Sequence, residues 1–172
     1  NGGFNKFVKR VSDIVGSFLL IILFSPVMLA VALAVRFSSK GPVIYKQERV
    51  GLHNRNFVMY KFRSMKIERC DELHFTTQND DRTTRIGRFI RRCSLDELPQ
   101  IMVNILILGN MSVVGPRPIL ESELKENYTS DEQKLLLSVK PGLTGYWQAY
   151  ARNNVGYSDG ERQKMELYYV QN

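Results

Sequence analysis

Histidine and cysteine are scarce in this chain, two of each among 172 residues, and that scarcity removes several chemistries at the outset. With only His53 and His74, a zinc site of cysteine and histidine ligands lacks material, and a Ser-His-Asp triad has few candidates. Cys70 and Cys93 have neither C-x-x-C spacing nor the dense, even pattern of a disulfide framework, which favours a reducing, cytoplasmic compartment. Internal repeats and low-complexity linkers are missing too, and 172 residues with 44% hydrophobic content suit one modest core. Positive charge is in excess. A formal charge of +7 points to an anionic partner, whether nucleic acid, an acidic membrane surface or phosphorylated substrates, and composition does not choose among them.

The second absence is local. From Ile14 to Val35 no residue is charged. At about 1.5 Å per residue, such a run is long enough for a hydrocarbon core of about 30 Å, so a spanning helix is the default. Ser25-Pro26 near its middle argues otherwise, because proline removes a backbone donor and clashes with the carbonyl four residues back. Basic residues also flank both ends, with Lys6, Lys9 and Arg10 before the run and Arg36 and Lys40 after it. A crossing segment should bias lysine and arginine to one side. The flanks suit a re-entrant hairpin of two half-helices, with the Ser25 hydroxyl satisfying a carbonyl freed by Pro26. A kinked spanning helix is the alternative. A signal peptide fits poorly, since no small-residue cleavage site follows.

Past Gly41-Pro42, two extended runs, 43–49 and 56–63, flank a turn at 51–54 and predict a β-hairpin. Residues 66–81 are polar and mixed, a loop with at most one helical turn. Arg82, Arg85, Arg88 and Arg91 then recur every third residue between Ile86, Phe89 and Ile90, a helix with a basic stripe. A strongly apolar helical stretch covers 98–108 and an extended run 111–114. Further helices are expected from Pro118 to 126, from a capping box at Ser130-Asp131-Glu132-Gln133 to 139, and over 158–170, with a loop and short strand between the last two.

The arginine stripe reads equally as a solvated face or as a surface for membrane or phosphate. Nucleic acid is disfavoured by the lack of interleaved aromatic residues and by the uncharged run; it would require salt-sensitive binding. Lys61 and Arg63 in YKFRS, Arg117 in GPRP and Arg152 in YARNN sit beside turn-forming residues, and together they suggest a site for several phosphates.

The stretch SLDELPQ, residues 94–100, carries two readings. Ser94 to Glu97 fits an S-x-x-E capping box, and acidic residues complement the positive end of a helix dipole. The alternative is chemistry. Asp96, kept ionised at a helix N-terminus, suits a nucleophile towards phosphorus, and Glu97, about 100° round the helix, suits a magnesium ion, which takes one or two carboxylates along with substrate phosphates.

The uncharged run with Ser25-Pro26, then YKFRSM, RIGRFIRRCSLDELPQ, GNMSVVGPRP and KPGLTGYWQAYARNN, taken in this order, resemble the monotopic polyprenyl-phosphate phosphoglycosyl transferases, bacterial sugar transferases that begin capsule, exopolysaccharide and glycoconjugate assembly. The likeness runs from Phe7 to Val170. It implies a phosphotransferase that moves a sugar 1-phosphate from a UDP-sugar to a polyprenyl phosphate, usually undecaprenyl phosphate, with Mg2+ and release of UMP. By the same resemblance Asp96 attacks the β-phosphorus to give a phosphosugar-aspartyl intermediate, Glu97 takes part in holding the metal, and Lys61, Arg63, Arg91, Arg117 and Arg152 bind phosphate or nucleotide. The implied fold is α+β and mainly helical: a re-entrant helix-break-helix over 1–40 and a cytoplasmic catalytic domain over 41–172, on the cytoplasmic face of the bacterial inner membrane, contacting membrane lipids, able to dimerise and not binding nucleic acid.

The chain departs from the family in two places. Where relatives commonly read NVLKGDMS it has NILILGNMS, with Asn110 at the usual acidic position. It also ends soon after Tyr168-Tyr169-Val170 and begins abruptly at Asn1, which suggests the catalytic part of a longer protein. The rival from another class is a membrane-surface protein in which Asp96 and Glu97 merely cap a helix. The residues do not name the sugar.

Overall fold

The uncharged run sets the first and longest element. In the computed structural model, which describes residues 2–66, 83–150 and 160–171, helix α1 spans Gly2–Ser38, 37 residues or about 55 Å. The two predicted half-helices are joined into one element, because the backbone stays helical through Pro26. The physical reason is local. Pro26 cannot donate to the carbonyl of Ile22, and the Ser25 hydroxyl donates to that oxygen instead, at 3.1 Å. One stripe of α1 is covered along most of its length: Asp13, Ser17, Val31 and Val35 are buried, with Leu20, Ile21, Phe24 and Met28 partly buried between them. The remaining perimeter exposes Phe18, Leu19, Ile22, Leu23, Leu29, Leu33 and Phe37.

The predicted hairpin forms within a residue of its expected bounds. Strand β1 (Ile44–Val50) runs antiparallel to β2 (Asn56–Phe62), with Ile44 opposite Phe62. A single 3-10 turn, Leu52–Asn54, joins them, with His53 and Asn54 at positive φ. Phe57 and Met59 of β2 point into one cluster with Ile105 and Met111, while Phe62 joins Val31, Val35, Ile90, Leu98 and Ile101 in another. Residues of the uncharged run and of the hairpin therefore share a core.

Helix α2 (Arg85–Arg92) starts where Thr84 accepts the Gly87 N–H at 2.8 Å. Gly87 is required by a close approach: a Cβ there would lie 1.8 Å from the Ser64 carbonyl oxygen, so the helix sits directly on the end of β2. Ile86 and Ile90 face the core and Arg85, Arg88, Phe89 and Arg92 face outward. Arg82 lies outside the described residues.

Helix α3 (Leu98–Gln100) runs straight into a π-helical stretch, Ile101–Ile107, so the predicted helix over 98–108 exists but is widened. Fully buried Asn104 does for β2 what a neighbouring strand would do. Its side chain accepts the Tyr60 N–H at 3.1 Å and donates to the Val58 carbonyl at 2.7 Å, fixing the hairpin against the helix.

Strand β3 (Ser112–Val114) pairs in parallel with β4 (Gly142–Thr144), a long-range partnership that the local sequence did not announce. Helix α4 (Glu121–Asn127) begins later than the proline suggested, because Ile119 bridges Val50 in extended conformation. Helix α5 (Ser130–Leu136) is capped one residue early: Glu132, not Gln133, reaches back, accepting the Thr129 N–H at 2.8 Å. Short α6 (Tyr146–Tyr150) and α7 (Glu161–Gln171) complete the described chain. The predicted loop at 66–81 lies outside it apart from its first residue.

Candidate active site

The contest over SLDELPQ is decided by which groups meet which. Ser94 adopts left-handed backbone (φ 55°) and makes no side-chain cap hydrogen bond; its own N–H donates to the Arg91 carbonyl at 3.2 Å. Leu95–Glu97 is a single 3-10 turn leading into α3. The capping box is not made. Glu97 instead sends its carboxylate across to β2, where its Oε1 lies 3.0 Å from Lys61 Nζ, both groups partly buried. This pairing depends on the hairpin register, since Asn104, two turns further along the helical face, holds Tyr60 and Val58 beside Lys61.

Asp96 is buried, 8% exposed. Burial pushes its carboxyl pKa above the ordinary value, with the Glu97 carboxylate adding to the rise, while Lys61, Arg91 and its own backbone N–H pull the other way. A helix N-terminus is expected to favour the charged form; here one short turn offers little dipole and desolvation outweighs it, so the carboxyl pKa lies above its ordinary value. The Asp96 carboxylate is thus withdrawn from water with Lys61 and Arg91 near it.

The family model described as bacterial sugar transferase matches residues 4–172. The chain belongs to the bacterial sugar transferase family. It is 43% identical over 184 residues to undecaprenyl-phosphate galactose phosphotransferase of Salmonella typhimurium, covering 98% of this chain and 37% of that protein. It is 46% identical over 149 residues to UDP-glucose:undecaprenyl-phosphate glucose-1-phosphate transferase of Escherichia coli, covering 85% and 32%. With exopolysaccharide production protein ExoY of Rhizobium meliloti the identity is 41% over 181 residues, covering 95% and 77%. The chain thus spans about a third of the length of the first two relatives.

In this sugar transferase chain the predicted cations separate into groups. Lys61 and Arg117 line one cleft together with Glu97, and Arg91 acts electrostatically on Asp96 from the end of α2. Arg63 is placed elsewhere. Buried to 4% exposure, it donates to the carbonyls of Ser39 at 2.6 Å and Lys40 at 2.9 Å, which stabilises the chain leaving α1 and commits the guanidinium away from the cleft. Arg10 does the same for the π-helical stretch, donating to the Ile105 and Leu106 carbonyls at 2.6 and 3.2 Å. Arg152 lies outside the described residues.

Several site residues escaped the sequence reading. Arg49, Gln100 and Gln148 also line the cleft, and Glu166 of α7 shares a second, adjoining hollow with Arg117 and Trp147. Glu166 is buried, accepts the Tyr128 hydroxyl at 2.5 Å and the Arg162 Nε–H at 3.4 Å, and its carboxyl pKa is raised by that burial against the pull of Arg162, Tyr128 and Arg117. It ties α7 to the end of α4 through Tyr128, and Arg117 acts on it electrostatically. Only a composition oddity signalled it, an acidic residue inside the apolar face of the last helix.

No cluster of three or more histidine, cysteine or acidic residues occurs among the described residues, so a cage built wholly from protein is not available there. Magnesium, which takes one or two carboxylates along with substrate phosphates, would find one carboxylate, Glu97, at the cleft wall.

Proposed function

We propose that the chain transfers a sugar 1-phosphate from a UDP-sugar to undecaprenyl or another polyprenyl phosphate at the cytoplasmic face of the bacterial inner membrane. The observation that carries this reading is the buried Asp96 beside the Lys61–Glu97 pair, in a turn where neither Ser94 nor Glu97 makes a side-chain capping hydrogen bond. The names of the relatives support it, since two of them are undecaprenyl-phosphate sugar phosphotransferases.

An Asp96 carboxylate oxygen attacks the β-phosphorus of the donor. The bond from that phosphorus to the bridging oxygen breaks, and UMP leaves with the electron pair. An oxygen of the lipid phosphate then attacks the phosphosugar-aspartyl intermediate, returning Asp96 as carboxylate and giving the polyprenyl diphosphosugar. Lys61, Arg91 and Arg117 offset charge on the diphosphate and the incoming lipid phosphate, and Arg152 is assigned to the same task by family likeness. Glu97 would hold Mg2+, which supplies charge neutralisation at phosphorus.

The membrane part of the proposal is a monotopic one, in which α1 enters and leaves on one side. Both ends of α1 dock on the same domain: Asp13 accepts from Ser112 Oγ at 2.9 Å and the Val113 N–H at 3.0 Å, while Val35 packs in the core with Phe62. Only 11% of its most apolar window is buried, leaving an apolar flank for lipid.

Intact-protein mass tests the chemistry. After incubation of wild type and Asp96→Asn with a panel of UDP-sugars and magnesium, without lipid acceptor, the expected result is a sugar-phosphate adduct and UMP on wild type alone. A folded wild type that yields neither with any donor leaves the membrane-surface protein as the reading.

A further inference from the structure

The charged members of the cleft answer to phosphate and metal, but two of its walls are neutral. Gln100, the last residue of α3, is 2% exposed, and its side-chain nitrogen is enclosed without a hydrogen-bond partner. Gln148, in α6, donates from Nε2 to the Leu143 carbonyl at 3.3 Å, while its Oε1 is enclosed and unpartnered. Both line the same cleft as Lys61, Glu97 and Arg117, and Gln100 follows Glu97 by three residues, on the same side of the helical turn.

An enclosed amide group without a partner is destabilising, and native folds rarely keep one without reason. Here two of opposite kind, an N–H donor and a carbonyl acceptor, border one cleft. The charged residues of that cleft, Arg49, Lys61, Glu97 and Arg117, suit a diphosphate and its metal, and beyond the two glutamines its remaining lining is apolar. Neither amide improves binding of phosphate in the way that an arginine would.

We propose that Gln100 and Gln148 are specificity residues for the uncharged part of the nucleotide-sugar donor, Gln100 donating to a carbonyl or hydroxyl oxygen and Gln148 accepting from an N–H or O–H. This rests on the transferase reading above. Two parts of the donor offer an acceptor beside a donor hydrogen: the imide edge of uracil and the hydroxyls of the sugar.

The test uses the full chain in detergent or nanodiscs with Gln100→Met, Gln148→Met and the double variant. It reads UMP affinity by calorimetry, KM and kcat with a UDP-sugar accepted by wild type, and thermal melting without ligand. Losing one such hydrogen bond should raise KM about tenfold with little change in kcat. Gln148→Met also gives up the bond to the Leu143 carbonyl, so a small decrease in melting temperature is expected there. The stability control is Gln100→Met, whose melting temperature should hold or rise because methionine removes an unsatisfied amide. A role confined to packing would lower it instead. If the partner is uracil, UMP affinity falls by the same factor as the KM rise. If the partner is the sugar, UMP affinity stays at the wild-type value. Donor KM and UMP affinity within twofold of wild type in every folded variant would overturn the assignment of both glutamines. A wild type that neither binds UMP nor releases it from any UDP-sugar would instead overturn the transferase reading, and this inference with it.

Discussion

Asp96 concentrates the conflict between stability and chemistry in one side chain. Its folded-state pKa is raised chiefly by burial, so the unfolded chain ionises first, and the fold loses stability as pH climbs from about 3.8 through the raised value. Asp96→Asn removes that cost. We expect the variant to melt higher than wild type at neutral pH, the gap closing as pH falls towards 4, while adduct formation is abolished; differential scanning fluorimetry across pH and intact mass would read both. Lys61 leads the influences that lower this pKa. Lys61→Met should move the acid limb of the pH–rate profile upward and lower kcat by about 100-fold, the scale for losing a preorganised charge at the reacting centre. These two acids were visible in the sequence as candidates. The capping box that competed for them was a false match, because Ser94 lies in left-handed backbone and Glu97 has a stronger partner on β2.

Among the elements, the junction of hairpin and α3 sets the geometry of the proposed site. Asn104 holds two backbone groups of β2, and Asn104→Leu should destabilise the fold by about 1–3 kcal/mol per orphaned group and reduce activity with it, measurable by denaturant titration and UMP release. Gly87→Ala should be similarly damaging, since its methyl would overlap the Ser64 carbonyl and lift α2, with Arg91, off the strand end. The hairpin, α2 and α7 were legible because alternation, helical spacing and caps are local signals. The start of α4 and the parallel β3–β4 pair were not, because each depends on a partner far along the chain: Val50 for Ile119, and Gly142 for Ser112. Arg63 shows the same limit. Its neighbours marked it as a loop cation, yet the unpaired carbonyls after α1 claim it.

The whole molecule is organised around a helix that packs into the core and, in the proposed function, also meets the membrane. If α1 enters and leaves one face, single cysteines at Lys6→Cys and Lys40→Cys, in a background without Cys70 and Cys93, will react with an impermeant maleimide from the same side of sealed vesicles. Labelling from opposite sides would establish a crossing helix. The docking of Arg10, Asp13, Val31 and Val35 on a single domain is the reason for expecting the first result.

By itself the sequence determined that an uncharged run is interrupted by Ser25-Pro26, that acids stand at 96 and 97, and that cations lie in short loops, because these are matters of residue type and spacing. The ordered motifs were enough to suggest the family. Only the tertiary structure decided that the helix continues through the proline, that Glu97 meets Lys61, that Arg63 serves a helix end and that two glutamines border the cleft. Each of those outcomes is a competition for partners between segments distant in the chain, and burial, which sets both the Asp96 pKa and the cost of an unpaired amide, exists only after the segments have packed.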